Sequence, residues 1–204
     1  MNFLALGFFT GLSLIFAIGA QNIFVMEQGL KKQYIFIVCL ICSISDLILI
    51  FFGIFLFEYF KVFFTQIVEL IFNILLFIFL LYFIYNKIIS LYKISYLNFG
   101  SEILSLKNII IKTLGFTYLN PHVYSDTVFF LGNFSKNLLI NNKILFGIGA
   151  AIASFLFFFS LGYLAKFFSN YLIDSKTWKT INFFIIIFMT VLSSYVFLDI
   201  IDLV

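Results

Sequence analysis

Apolar residues form six long runs along this chain, and each run is interrupted by only a few polar positions. Each run has roughly the 20 residues that an α-helix needs to cross about 30 Å of hydrocarbon. The first run is longer than the core of a signal peptide, and no lysine precedes it, so we interpret it as a helix. The pattern predicts six transmembrane helices, near Phe3–Met26, Tyr34–Phe57, Ile67–Tyr85, Ile109–Leu131, Ile144–Phe168 and Ile181–Ile201.

The composition supports the same class of protein. Of the 204 residues, 64% are hydrophobic and 10% are charged, whereas soluble domains have about 45–50% apolar and 25% charged residues. The basic residues are all lysines and are scattered between the runs rather than gathered in a patch. This distribution argues against a nucleic-acid partner and for the lipid bilayer. We therefore predict an all-α polytopic membrane protein.

The lysines also predict an orientation, because cytoplasmic loops are enriched in basic residues. The segments after the first, third and fifth runs carry most of them, and neither terminus carries any. Both termini are then outside the inner membrane. Residues 87–106 form a polar linker between half-repeats 1–86 and 107–204, which make one transporter domain. Because each half has three spans, the second half enters from the opposite side, as in the inverted repeats of many carriers.

Two carboxylates, Asp46 and Asp126, lie deep inside apolar runs. A carboxylate at the middle of the bilayer costs about 2.5–3.5 kcal/mol on insertion scales, so it is retained where it has a partner or a function. Both groups could bind a cation, and both could hold and release a proton. The sequence therefore favours a functional role for this pair.

A short polar break accompanies each carboxylate. Gly19-Ala20-Gln21-Asn22 ends the first run, and Leu119-Asn120-Pro121-His122 interrupts the fourth. Pro121 has no N–H, so a carbonyl near Phe116 or Thr117 loses its helical partner. Breaks at corresponding places in two halves of a membrane protein indicate a transporter's binding site. The predicted site comprises Gly19 and Pro121 as the helix breaks, with binding groups from Gln21, Asn22, Asp46, Asn120, His122 and Asp126.

Other motifs favour structural roles. Cys39 and Cys42 lie one turn apart in an apolar run with no second pair to complete a zinc site, so we predict no metal and no cofactor. The small residues of the first and fifth runs, such as Gly7 and Gly11, permit close contact between helices. That contact could be packing within one chain or the seam of a homodimer, and packing within the chain is favoured.

Taken together, two stretches of this chain resemble the lysine and arginine exporters of the LysE type. The first runs from Gly19-Ala20-Gln21-Asn22 through Gln28-Gly29 and two lysines to Asp46 and Gly53. The second is Thr117-Tyr-Leu-Asn-Pro-His-Val-Tyr-Ser-Asp-Thr-Val with Gly132. The two occur in order over essentially the whole chain. The form of both breaks resembles the branch that carries basic amino acids, although lysines stand where those relatives carry arginine.

The resemblance implies an exporter of L-lysine, L-arginine or a related cationic amino acid in the inner membrane, and not an enzyme. Two buried carboxylates suit a cationic cargo, and proton-coupled antiport is the expected mechanism. Three alternatives stay open: a carrier of the same fold for a neutral amino acid or metal cation, a non-transporting assembly subunit, and an intramembrane hydrolase with an aspartate dyad. The chain has no Gly-x-Gly-Asp element, which disfavours the hydrolase.

Overall fold

The computed structural model describes residues 2–16, 19–63, 65–93, 105–169 and 175–203. Every regular element within these residues is helical, as the sequence predicts. The segment Ser125–Phe130 is π-helical. The α-helices in chain order are α1 Phe3–Ile15, α2 Ala20–Lys31, α3 Ile35–Phe63, α4 Gln66–Lys93, α5 Leu106–Tyr118, α6 Pro121–Tyr124, α7 Leu131–Ser135, α8 Ile140–Ser169 and α9 Ser175–Leu203.

Four of these helices, α3, α4, α8 and α9, are long and apolar enough to cross a membrane. The helices α1 and α2 meet at an angle of 84° and make a fifth span if they are counted together. The predicted fourth span is instead divided into α5, α6, the π-helical segment and α7. The protein is therefore an all-α membrane protein in which the first and fourth predicted spans are broken and the other four are continuous.

The boundaries of the continuous helices differ from the predicted ones because hydropathy marks only the apolar part of a helix. The helix α3 continues to Phe63 and α4 continues to Lys93. The predicted linker 87–106 therefore begins inside α4, and α5 begins at Leu106. The intervening residues 94–104 lie outside the described part of the chain.

Helix α8 packs closely against α1 through small residues. A methyl group on Gly7 would collide with the backbone of Phe146, and one on Gly11 would lie 2.9 Å from the Cα of Ala150. Gly149 makes the reciprocal contact with the backbone of Leu4. The predicted packing of small residues within one chain is confirmed for these positions, because α1 and α8 can approach only where both lack bulk.

Helices α3 and α8 run antiparallel along most of their length. Cys39 near the start of α3 donates a hydrogen bond to the carbonyl of Phe158, at 3.2 Å. At the other end, Gly147 contacts Phe51 and Ile54. The middle of α3, which carries Asp46, is thereby held against the middle of α8.

Three helices meet in an aromatic cluster formed by Phe24 of α2, Phe79 and Phe83 of α4 and Phe116 of α5. The ring of Phe116 is fully buried, and its centroid lies 4.8–5.0 Å from those of the other three. Edge-to-face and tilted contacts at such distances add to the stability that apolar burial provides. The cluster fixes α5, which leads into the second break, against α2, which follows the first.

The π-helical segment approaches α3 at two glycines. A methyl group on Gly53 would lie 2.6 Å from the Cα of Val128 and 2.7 Å from the carbonyl oxygen of Thr127. One on Gly132 would lie 2.7 Å from the carbonyl oxygen of Gly53. Because this approach is backbone against backbone, neither side can yield by a rotamer change. It brings the segment that carries Asp126 beside the helix that carries Asp46.

We expect Gly53→Ala to destabilise the protein by about 1–3 kcal/mol, the usual cost of overpacking. The added methyl would push the π-helical segment away from α3. Thermal unfolding of the purified protein in detergent would show a lower midpoint. A conservative change on the exposed side of the same helix, Ile48→Leu, serves as the control. An unchanged midpoint for Gly53→Ala would contradict the packing described for this contact.

Candidate functional site

The first break places the start of α2 beside a cavity. Gly19 precedes α2 with an extended backbone (φ −116°, ψ 179°), which residues other than glycine also adopt. The side-chain amide of Asn22 donates a hydrogen bond across the break to the carbonyl of Ile15, at 3.2 Å. Asn22 thus satisfies a carbonyl at the end of α1 that has no helical partner. One of the polar residues that the sequence assigned to the site therefore also bonds across this break.

Asp46 is almost completely buried, with 3% of its surface exposed. Ser154 of α8 donates a hydrogen bond from its hydroxyl to the carboxylate, at 2.7 Å. A hydrogen bond to an ionised group is worth more than one between neutral groups, and it offsets part of the cost of burial. The prediction that Asp46 belongs to a binding site did not include Ser154, which the sequence grouped with the small packing residues.

The second break is satisfied from within the protein. Pro121 is the first residue of α6, a position where its missing N–H costs nothing. The hydroxyl of Tyr124 donates to the carbonyl of Tyr118, at 2.9 Å. The carbonyl that Tyr124 reaches follows the one predicted to be released, at Phe116 or Thr117, and the release of that carbonyl stays a prediction. A polar side chain thereby replaces water, which the bilayer would not supply.

Asp126 lies in the π-helical segment, one turn after the break. Thr127 beside it donates its hydroxyl to the carbonyl of Val123, at 2.5 Å. Short π-helical insertions inside α-helices occur frequently at functional sites, because the wider turn redirects side chains.

The two breaks and the two carboxylates line one cavity of about 420 Å³, a size within the range of small-ligand sites. Leu76, Leu80 and Phe158 are among the side chains that form its apolar walls. The cavity therefore combines acidic and amide groups with an otherwise hydrophobic lining. Six of the eight predicted site residues lie on it, namely Gly19, Gln21, Asn22, Asp46, Asn120 and Asp126.

The remaining two predicted residues are only partly described. The backbone of Pro121 and His122 forms the start of α6. Their side chains lie outside the described part of the structure. The predicted pairing of His122 with Asp126 on one helix face therefore stays a prediction.

Two further polar residues were not anticipated; Tyr195 is part of the site, and Gln28 lies outside the cavity lining. Tyr195 of α9 lines the cavity, and more than half of its surface is exposed. Gln28 of α2 is completely buried, and neither polar atom of its side chain has a hydrogen-bond partner. Gln28 stands in the motif Gln28-Gly29 quoted above, but a polar residue near the end of a helix gives no sign of burial by itself.

Comparison with known proteins agrees with this architecture. Residues 12–199 match the model of a family described as LysE type translocator. The chain belongs to the LysE family. An arginine exporter protein ArgO of Pectobacterium carotovorum (strain PC1) is 33% identical over 184 residues, which is 88% of each chain. The ArgO protein of Shigella flexneri is 34% identical over 180 residues, 86% of this chain and 84% of its own. No solved structure matches the chain.

The hydrogen bond from Ser154 to Asp46 makes a direct prediction about stability. Ser154→Ala would leave a buried carboxylate without this donor and should cost about 1–3 kcal/mol. Thermal unfolding in detergent would reveal the loss as a lower midpoint. Ser160→Ala, at an exposed position of the same helix, is the matched control. Equal midpoints for the two variants would mean that Ser154 does not support Asp46.

Proposed function

We propose that this protein exports a cationic amino acid, arginine or lysine, across the inner membrane by exchange with protons. The observation that carries the proposal is the convergence of Asp46 and Asp126 on one cavity of suitable size. A guanidinium or ammonium group is a natural partner for carboxylates in a site from which water is largely excluded. The names of the arginine exporter relatives support the same cargo.

The topology that we propose has six spans in two inverted halves. The first half consists of the broken span α1 and α2 followed by α3 and α4. The second half consists of the broken region α5 to α7 followed by α8 and α9. The lysine-rich ends face the cytoplasm and both termini face outward. In this arrangement each half contributes one break and one carboxylate to the cavity, which supports alternating access around a fixed site.

Export of a cation requires coupling to a second ion gradient. Moving one positive charge outward against an inside-negative potential costs about 2.3 kcal/mol per 100 mV. Two carboxylates that share a cavity repel each other when both are ionised, so binding of a proton or of a cationic cargo relieves the repulsion. Competition between proton and cargo for the same pair gives antiport without a separate proton path.

The small-residue contacts bear on the homodimer that the sequence left open. Gly7, Gly11 and Gly149 are occupied by contacts between α1 and α8 of the same chain. These glycines are therefore not available as a seam between two chains. We propose that one chain contains a complete site and transport path.

We expect Asp46→Asn and Asp126→Asn each to reduce efflux of labelled arginine at least about tenfold, because the cation loses a charged partner. Efflux would be measured from cells loaded through an arginine-containing dipeptide, and immunoblotting would confirm that each variant is in the membrane. Asp202→Asn, at an exposed position near the end of α9, is the matched control. Wild-type rates in the Asp46→Asn variant would refute the assigned site.

Coupling to protons predicts a counterflow that can be seen directly. In liposomes containing the purified protein and a pH-sensitive dye, an arginine gradient should move protons in the opposite direction. An uncoupler should abolish accumulation of arginine against its gradient. Arginine transport that leaves the dye signal unchanged and survives the uncoupler would exclude proton antiport while leaving the cargo assignment intact.

A further inference from the structure

The start of α2 presents an uncapped helix terminus to the cavity. Gly19, Ala20, Gln21 and Asn22 all line it, and Gly19 at the cap position has no side chain that could accept a hydrogen bond. The backbone N–H groups of Ala20 and Gln21 have no acceptor within α2, and the helix dipole adds partial positive charge at this end. Such a terminus favours an anion.

A second polar group points to the same ligand. Gln21 is 6% exposed and lines the cavity, and its Nε2 donor has no hydrogen-bond partner. The thiol of Cys42, beside Gln21, is only a weak acceptor. A buried amide donor without a partner is costly, and a rotation of the Gln21 side chain toward the cavity would let an anionic oxygen there satisfy it.

Among the described residues, the rest of the cavity offers an anion no cationic partner. None of the described residues that line it is basic. Its charged side chains, Asp46 and Asp126, are acidic and suit the opposite end of a cationic amino acid. The start of α2 is therefore the electropositive part of a cavity whose other described lining residues are acidic, neutral polar or apolar.

We propose that the first turn of α2 and the amide of Gln21 bind the α-carboxylate of the cargo while Asp46 and Asp126 bind its cationic groups. This inference rests on the proposed function, since it assigns the two ends of the same cargo. It predicts that the protein requires a free carboxylate on its cargo. The protein should therefore discriminate arginine from agmatine, which keeps the guanidinium group but lacks the carboxylate.

A substitution at Gly19 can fill the carboxylate site from within the chain. A Cβ atom built on Gly19 meets nothing within 4 Å, so a side chain has room there. Aspartate is a preferred N-cap residue, because its carboxylate accepts from N–H groups of the first turn. The Gly19→Asp variant therefore places a carboxylate where the carboxylate of the cargo would bind.

Competition binding to the purified protein tests the proposal with labelled arginine and unlabelled agmatine. For the wild type, agmatine should compete at least about tenfold more weakly than arginine. The difference corresponds to the loss of one strong charge-assisted contact, which agmatine cannot make without a carboxylate. Gly19→Asp should lower the affinity for arginine by a similar factor and should leave the affinity for agmatine unchanged or higher. Gly19→Ala adds the same Cβ without a carboxylate, and its ratio of agmatine to arginine affinity should match that of the wild type.

Substitutions at Gln21 give an independent readout if Gly19→Asp does not fold. Gln21→Glu should lower the affinity for arginine, because the new carboxylate repels that of the ligand. The affinity for agmatine should not fall. Gln21→Leu removes the donor, so it should reduce the difference in affinity between arginine and agmatine severalfold. Thermal unfolding and gel filtration would confirm that each variant is folded.

The proposal is overturned if agmatine competes as well as arginine in the wild type, or if Gly19→Asp and Gln21→Glu weaken both ligands equally. The assignment of arginine as the cargo can be wrong while the proposed carboxylate site is correct. If another amino acid binds in place of arginine, the same comparison with its decarboxylated amine decides the carboxylate site. Binding of amines with no preference for a carboxylate would leave a cation carrier and refute this inference.

Discussion

The carboxylate of Asp46 is withdrawn almost completely from solvent inside a helix of isoleucine, leucine and phenylalanine, where it accepts a hydrogen bond from Ser154. This contact requires α3 and α8 to keep one register, since a shift of one residue on either helix would separate the two groups. Gly147 on one side and Gly162 on the other contact α3 directly. The small residues of α8 therefore do more than permit close packing, because they hold the hydroxyl opposite the carboxylate.

The same need to satisfy polar groups without water explains the two breaks. At the first, the amide of Asn22 reaches the carbonyl of Ile15, and at the second, the phenol of Tyr124 reaches that of Tyr118. Irregular backbone persists at membrane depth only where protein or a polar cavity receives its hydrogen bonds. The breaks are thus stable features that expose a helix start and amide side chains to the cavity, with no loss of the surrounding helical packing.

The sequence predicted much of the site because its signals are local. An aspartate inside an apolar run, or a proline after an asparagine, is visible without knowledge of the fold, and Asp46, Asn120 and Asp126 do line one cavity. The partner of Asp46 was not visible. Ser154 lies among glycines and alanines, a composition typical of helix packing, and its role depends on which helix faces it. The π-helical segment was likewise missed, since its extra residue per turn follows from tertiary contacts such as those at Gly53.

The aromatic cluster joins α5 to two helices that border the cavity, α2 and α4. Phe24 on α2 and Phe83 on α4 lie nearer the lysine-bearing ends of their helices than the residues that line the cavity, and Phe116 contacts both of these rings. In the proposed alternating access, opening at that end would separate these rings and lose their apolar contact. Gln28, on the same part of α2, is buried without a partner, and an unsatisfied buried polar group costs about 1–3 kcal/mol. In the proposed transport cycle, hydration of that amide on opening would offset part of the apolar contact that the rings lose.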